Sequence, residues 1–435
     1  MRRTRAFAAA ALAAALLLSG CGLSSGDDAG SAGSGKIEGE VKGEITFATL
    51  ALKPTFDDYI NGLIKSFEAK HPGTTVKWVD LPFQGAQEKI TNDAQAGTLP
   101  DVVNLNPNFA QKLEKQGVFV DMEANAGDVK ANFVPGAWDA FKVPGQAGSY
   151  GLPWYLTSEI TMYNKDLFAK AGLDANTPPK TIDELLTQAK QLSAAGKGQF
   201  YGWHPALENS FVPNLAKLGV PLLNDGATKW TFNTPEAVQY VTRVRELYAS
   251  KAIAPDWLTQ DHAKETEAYS AGRVALFPSG PNFLKVVGQN APAVAKATAV
   301  APQIASADGT TNMSVMGLLV PKKSKNPATA LEFAKFVSHA ENQLAFAKIV
   351  TILPSTAESL KDPYFSQVDT ADPTSLARKI SAEQIAKARN LTPVQWDDRT
   401  KAVVIGKIQL AVQGDLDPKT ALDQAVDEAN KLLAR

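Results

Sequence analysis

Residues Tyr150–Phe168 read YGLPWYLTSEITMYNKDLF. Ile160 and Met162 alternate with Glu159 and Thr161, the period-two pattern of a half-buried strand. Asn164 offers a side-chain oxygen where a helix begins at Lys165–Asp166. Gly151 and Pro153 break regular structure just before Trp154 and Tyr155, which places those aromatics on a connection. Adjacent aromatics on a strand face opposite sides, so both are buried only where both faces are covered. Either both pack inside, or at least one walls a pocket.

Working outward, the pattern is α/β. Ile45 and Phe47 alternate in a strand, and Ile60, Leu63, Ile64 and Phe67 recur at helical spacing until His71-Pro72-Gly73. Val76 and Trp78 alternate again, a helical stretch ends at Gly97, Asp101–Leu105 is a third strand, and Phe109–Gln116 a further helix closed by Gly117. Strands separated by such helices imply crossover units and mainly parallel sheets. Ligands collect outside the carboxyl ends of such strands, so Asn106 and Asn108, and Lys53 after the first strand, are positional candidates. Turn chemistry accounts for Asn106-Pro107-Asn108 equally well. Thr181 and Glu184 form a capping box, and Thr234-Pro235-Glu236 starts another helix. Trp230 reads as packing, while Trp257 and His262 fall in a polar loop with no partner pattern.

The chain has 435 residues, enough for two or three domains, with 44% hydrophobic and 20% charged residues. A formal net charge of −1 supports neither nucleic-acid binding nor a polybasic membrane surface. Arg2, Arg3 and Arg5 precede the apolar run Ala6–Leu18, too short to read first as a spanning helix and shaped like a secretory signal. Cys21 is the only cysteine, so no internal disulfide forms. Residues 22–42 are mostly Gly, Ser, Ala and Asp and read as a flexible tether, with the fold starting near Val41.

GLPWY at Gly151–Tyr155, MYNKDLFAKAGL at Met162–Leu173 and PPKTIDELL at Pro178–Leu186 resemble the extracellular solute-binding proteins of carbohydrate ABC importers, the maltose-binding-protein group. FEAKHPGTTVKWV, AGTLPDVVNL and LEKQGVFVDM extend the resemblance, and it runs in order over residues 43–435. It implies a two-lobed periplasmic-binding-protein type II fold, each lobe a mainly parallel sheet flanked by helices, with the ligand cleft between lobes. The expected division is 43–155 and 318–365 in lobe 1, 156–317 and 366–435 in lobe 2. Leu18-Ser19-Gly20-Cys21 resembles a bacterial lipobox, which implies signal cleavage after residue 21's neighbour Gly20 and lipidation of Cys21.

The resemblance also implies a ligand set. Trp154 and Tyr155 lie at the lobe crossing, with Thr157 directly after them. Trp203 and, more weakly, His204 and Glu208 come from the second lobe, with a core role for Trp203 left open. After Gly280-Pro281 the family often places a sugar-stacking aromatic; here Asn282 stands there and Phe283 follows, so stacking is kept by Phe283 or replaced by Asn282 hydrogen bonds. Trp396 is a further candidate from the C-terminal part. The implied function is a membrane-anchored receptor that closes on a sugar or oligosaccharide and delivers it to a permease. It acts as a monomer on the outer face of the membrane, without cofactor, metal or catalysis.

No Gly-x-Ser-x-Gly elbow, phosphate-binding loop or His-Glu-x-x-His occurs, and the four histidines are scattered. A single cysteine excludes a cysteine-based zinc cluster. Two alternatives stay open: a receptor for a peptide, polyamine or metal chelate, and a secreted carbohydrate-active hydrolase.

Overall fold

The computed structural model describes residues 35–142, 148–260, 262–369 and 372–434; the expected secretion signal, Cys21 and residues 22–34 of the expected tether lie outside them. Two sheets organise the chain. The first has the strand order β10-β4-β9-β3-β1-β2, built from β1 (Gly43–Leu50), β2 (Thr74–Leu81), β3 (Val102–Leu105), β4 (Leu152–Ser158), β9 (Thr311–Leu319) and β10 (Leu353–Pro354), with β11 (Ala388–Arg389) beside β9. The second has the order β6-β7-β5-β8, from β5 (Ile160–Asn164), β6 (Tyr201–Trp203), β7 (Val274–Ser279) and β8 (Thr298–Ala301). Among the described residues no helix is long and apolar enough to cross a membrane.

Both sheets are mixed, which corrects the expectation of mainly parallel ones. β1 is parallel to β2 and β3, but β9 is antiparallel to β3 and β4. The reason is the crossing itself: β4 leaves for the second sheet and β9 returns from it, so neighbours must run in opposite senses. In the second sheet β5 leads away from the crossing, antiparallel to β7 and β8, and β6 is parallel to β7. The carboxyl ends of β6 and β7 therefore point back toward the first sheet, and those of β1 and β3 point toward the second.

β5 is buried along its whole length, Thr161 included, so it is a central strand and not a half-buried one. Pairing with β7 and β8 makes it central, and because both of its faces are covered the alternation in the sequence does not mark an exposed one. Local signals hold better. Asn164 Oδ1 accepts from the amides of Asp166 and Leu167 and caps the helix Lys165–Lys170. Thr181 Oγ1 accepts from the Glu184 amide, while the Glu184 carboxylate reaches back to the Lys180 amide, one residue before the cap. Gly202 in β6 lets the strand press against the helix Ile182–Gly196: an added Cβ would stand 2.3 Å from the Ala189 carbonyl oxygen.

Each sheet carries its own core. Phe47, Phe67, Trp154, Phe333 and Phe346 pack in the first; Met162, Phe168, Phe211, Trp230, Phe277 and Trp396 in the second. Core membership draws boundaries slightly apart from those read in the sequence. Leu156, Met313 and Val315 belong with the first sheet, as do Ile385 and Ala388 beyond the boundary drawn at 365/366. The tether also ends earlier than expected. Ile37 packs against the first core and donates its amide to Asn125 Oδ1 at 2.6 Å, and the Lys42 amide donates to the buried Thr329 hydroxyl at 2.8 Å.

A polar girdle ties the crossing together. Gln384 Nε2 donates to Ser158 Oγ at 2.8 Å and to the Glu159 carbonyl at 2.6 Å, while Gln384 Oε1 accepts from the Gln303 amide at 3.0 Å. Asn312 Oδ1 accepts from the Leu391 amide at 3.1 Å, so all the crossing segments share side-chain bonds.

Candidate functional site

Three cavities line the gap between the sheets. One, of about 370 Å³, is walled by Asn106, Asn108, Tyr155, Thr157, Asn390 and Thr392 among others. The second, of about 70 Å³, draws Leu353 from the first lobe, Asn282 from the second, and Tyr364, Arg378 and Ser381. The third, of about 200 Å³, lies at the carboxyl ends of β6 and β7 with Glu159, Trp203, Asn209, Lys217, His262 and Ser279 in its wall. Thr157 belongs to the first two and Gly280 to the last two, so the cavities adjoin one another along the gap.

The aim of Tyr155 comes from a bulge. Pro153 pairs with Gly317 and Tyr155 with Met316, so Trp154 is the extra residue on β4. A bulge re-aims the side chains beside it. Trp154 turns into the core, fully buried and stacked on Phe346 at 5.4 Å, while Tyr155 lies edge-on to Phe346 at 5.6 Å and opens to the cleft. Burial pushes the Tyr155 hydroxyl up to about 12. Opposite Pro153, Gly317 leaves room for the Phe141 ring, which a Cβ there would meet at 2.3 Å.

The second-lobe cavity is the more polar one. Lys217 is buried on the helix Leu207–Lys217, its ammonium 3.7 Å from a Glu159 carboxylate oxygen. Burial lowers its proton affinity and Glu159 partly restores it. His262, at the start of the helix His262–Ser270, places Nδ1 2.7 Å from Glu265 and Nε2 2.9 Å from Ser279 Oγ. Burial pushes the Glu265 carboxyl up to about 7; His262 opposes that and the Glu159 charge adds to it. The charged groups are thus paired within the cavity. Among the described residues no group of three or more metal-type ligands is assembled.

The candidates from the sequence fall into two sets. Asn106, Asn108, Tyr155, Thr157, Asn282, His204 and Trp203 line the cleft, Trp203 also packing in the second core. Five do not. Trp154 is core, for the reason above. Trp396 packs edge-on against Trp230 at 5.9 Å in the second core. Phe283 lies edge-on to His262 at 5.1 Å and supports that ring from behind. Lys53 is exposed with its ammonium 4.4 Å over the Trp78 ring, outside the three cavities. Glu208 points outward, because Asn209, Pro213 and Lys217, spaced by four, occupy the cavity face of its helix. That spacing was the visible signal for Lys217. His262 and Glu265, three apart, were also visible as one helix face once a helix is assigned there.

The lobes touch across the cleft mouth. Asn108 Nδ2 donates to the Pro393 carbonyl at 3.5 Å, and Lys112 Nζ lies 3.4 Å from Asp397 Oδ2. Asp397 also caps the helix Asp398–Gln413 through the Thr400 amide at 2.9 Å. Burial raises its pKa, but Thr400 and Lys112 outweigh it and the carboxyl sits below its usual value. Its contribution is therefore present above about pH 4, the unfolded value, and is lost as pH falls through the lower folded one. Lys112→Ala is expected to weaken lobe closure by at most about 1 kcal/mol, an effect that vanishes near 1 M salt. Fluorescence transfer between dyes on the two lobes, in dilute and molar salt, measures it; equal transfer in both variants at low salt removes the pair from the closure equilibrium.

Comparison with known proteins agrees with this architecture. The family profile described as bacterial extracellular solute-binding protein matches residues 53–344. A crystal structure described as an oligosaccharide periplasmic-binding protein from Synechococcus sp. MITs9220 is 30% identical, superposes with a TM-score of 0.78, and covers 90% of this chain and 99% of its own. The substrate-binding protein Lmo0181 of Listeria monocytogenes, solved with cycloalternan, is 25% identical with a TM-score of 0.69 over 90% of this chain and 99% of its own. The sn-glycerol-3-phosphate-binding periplasmic protein UgpB of Rhizobium meliloti is 23% identical over 400 residues, 88% of this chain and 85% of that protein. With a two-lobed fold, a cleft at the crossing and a profile match across both lobes, the chain belongs to the bacterial extracellular solute-binding proteins.

Proposed function

We propose that this chain is the substrate receptor of an ABC importer, closing its lobes on a neutral sugar or oligosaccharide and handing it unchanged to the permease. The observation that carries the reading is the charge pairing in the second-lobe cavity: Lys217 with Glu159, His262 with Glu265. A site with many donors and acceptors and no uncompensated charge suits hydroxyl groups. A polyamine would need unpaired carboxylates, and an anionic solute an unpaired cation. Tyr155 adds aromatic surface for the C–H faces of a ring. Ligand drives closure only by touching both lobes, and the shared walls at Thr157 and Gly280 supply that route. Lipidation at Cys21 would hold a monomeric receptor at the outer membrane face, the tether letting it reorient.

Isothermal titration of a soluble form lacking residues 1–21 against mono- and oligosaccharides tests this reading. Saturable binding of an unchanged ligand is expected, and at about a hundred times its dissociation constant it adds roughly 2.7 kcal/mol of stability. Silence across the panel in a folded sample points to another solute class, and products appearing after saturation point to a hydrolase.

A further inference from the structure

In the second-lobe cavity the pairing of His262 with Glu265 extends to a third group, the hydroxyl of Ser279. Ser279 Oγ lies 2.9 Å from His262 Nε2, and His262 Nδ1 lies 2.7 Å from Glu265 Oε2. Glu265 is 3% exposed, so its carboxylate is sheltered from water. The imidazole is fixed by more than its hydrogen bonds: Phe277 stacks on it at 5.6 Å and Phe283 meets it edge-on at 5.1 Å. Ser279 ends β7, and both Ser279 and His262 face the cavity of about 200 Å³.

A hydroxyl, an imidazole and a buried carboxylate linked in this order make a serine nucleophilic. We propose that Ser279, His262 and Glu265 form an acyl-transfer site for small carboxylic esters. With Glu265 ionised, His262 donates Nδ1–H to it and turns a lone pair on Nε2 toward the Ser279 hydroxyl. Oγ attacks the ester carbonyl carbon while Nε2 takes the hydroxyl proton. The tetrahedral intermediate collapses, its bond to the alkoxy oxygen breaks, and the alcohol departs with the proton from Nε2. Water, activated by the same nitrogen, releases the acid and restores Ser279. A glycosidic linkage has no carbonyl carbon to attack, so a bound sugar passes through unchanged.

Glu265 sets the pH range. Glu159 at the crossing, Lys217 on its helix and His204 after β6 are the other ionisable groups lining the cavity. Burial pushes the Glu265 carboxyl up to about 7, with His262 opposing and Glu159 adding. Below that value the protonated carboxyl donates to Nδ1, which leaves a hydrogen on Nε2 and no lone pair for Ser279.

The test treats the full chain with p-nitrophenyl acetate and, separately, with a fluorophosphonate, in which the P–Oγ bond forms as fluoride leaves. Intact-mass and peptide analysis should find one adduct, on Ser279, absent in Ser279→Ala. Its rate should rise about tenfold from pH 6 to pH 8, the change in ionised fraction across a pKa near 7. His262→Gln should slow it by about 10²–10⁴, the worth of a general base. Glu265→Gln should slow it and flatten the pH profile. No adduct on the folded chain, an adduct only elsewhere, or His262→Gln reacting at the parent rate overturns the proposal. If His262→Gln fails to fold, an unflattened profile in Glu265→Gln overturns it. Sugar titration of the same parent sample stands or falls separately.

Discussion

Replacing Trp154 with alanine is expected to cost about 3–5 kcal/mol of stability, the range for deleting a large aromatic from a packed core. The side chain is fully buried, stacked on Phe346 at 5.4 Å and tilted toward Phe47 at 6.1 Å. The cavity it leaves lies beneath β4, where the Phe346 and Phe47 rings cannot both collapse into it without breaking their other contacts. Among the described residues its indole N–H has no hydrogen-bond partner, so Trp154→Phe removes an unsatisfied donor and keeps most of the ring. That variant should cost clearly less than alanine. Denaturant unfolding measures both. Solute affinity of the folded fraction should change little, because Tyr155, not Trp154, faces the cleft. A Trp154→Ala protein of parental stability with abolished binding would return Trp154 to the pocket wall.

Trp154 also shows where sequence reading stops. Adjacent aromatics on a regular strand face opposite sides, and that rule alone leaves open which of the two meets the cleft. The bulge at Pro153–Tyr155 decides it, and the bulge depends on the pairing of β4 with a strand far along the chain. Caps were legible because they are local: Asn164, Thr181 and Thr234 each bond amides two or three residues on. Mixed sheets were not, since strand sense follows from how often the chain crosses between lobes. Ile37 looked like tether because its neighbours are polar or glycine, yet its amide reaches Asn125 Oδ1 and its side chain packs on the first core. His262 had no partner pattern for the same reason as Trp154: Ser279 reaches it through the placement of β7, which no short window contains.

Lys217→Met is expected to weaken solute binding by about 10- to 150-fold while leaving stability within about 1 kcal/mol of the parent. A hydrogen bond from a charged donor is worth about 1.5–3 kcal/mol, which converts to that loss. The stability side follows from unequal burial of the pair. The Lys217 side chain is 4% exposed and its charge is costly there, whereas Glu159 is 37% exposed and remains hydrated when its partner is removed. Methionine fills much of the same apolar path without the ammonium. The two proteins also differ with pH. Burial lowers the proton affinity of folded Lys217, so the unfolded chain binds more protons, and parent stability rises with pH between the folded value and the unfolded one near 10.4. Lys217→Met loses that rise. Titration calorimetry with the sugar that binds the parent, beside melting curves across pH 7–10, reads both effects. Unchanged affinity would place the solute wholly in the Tyr155–Thr157 part of the cleft, and a large stability loss would make the Lys217–Glu159 contact structural.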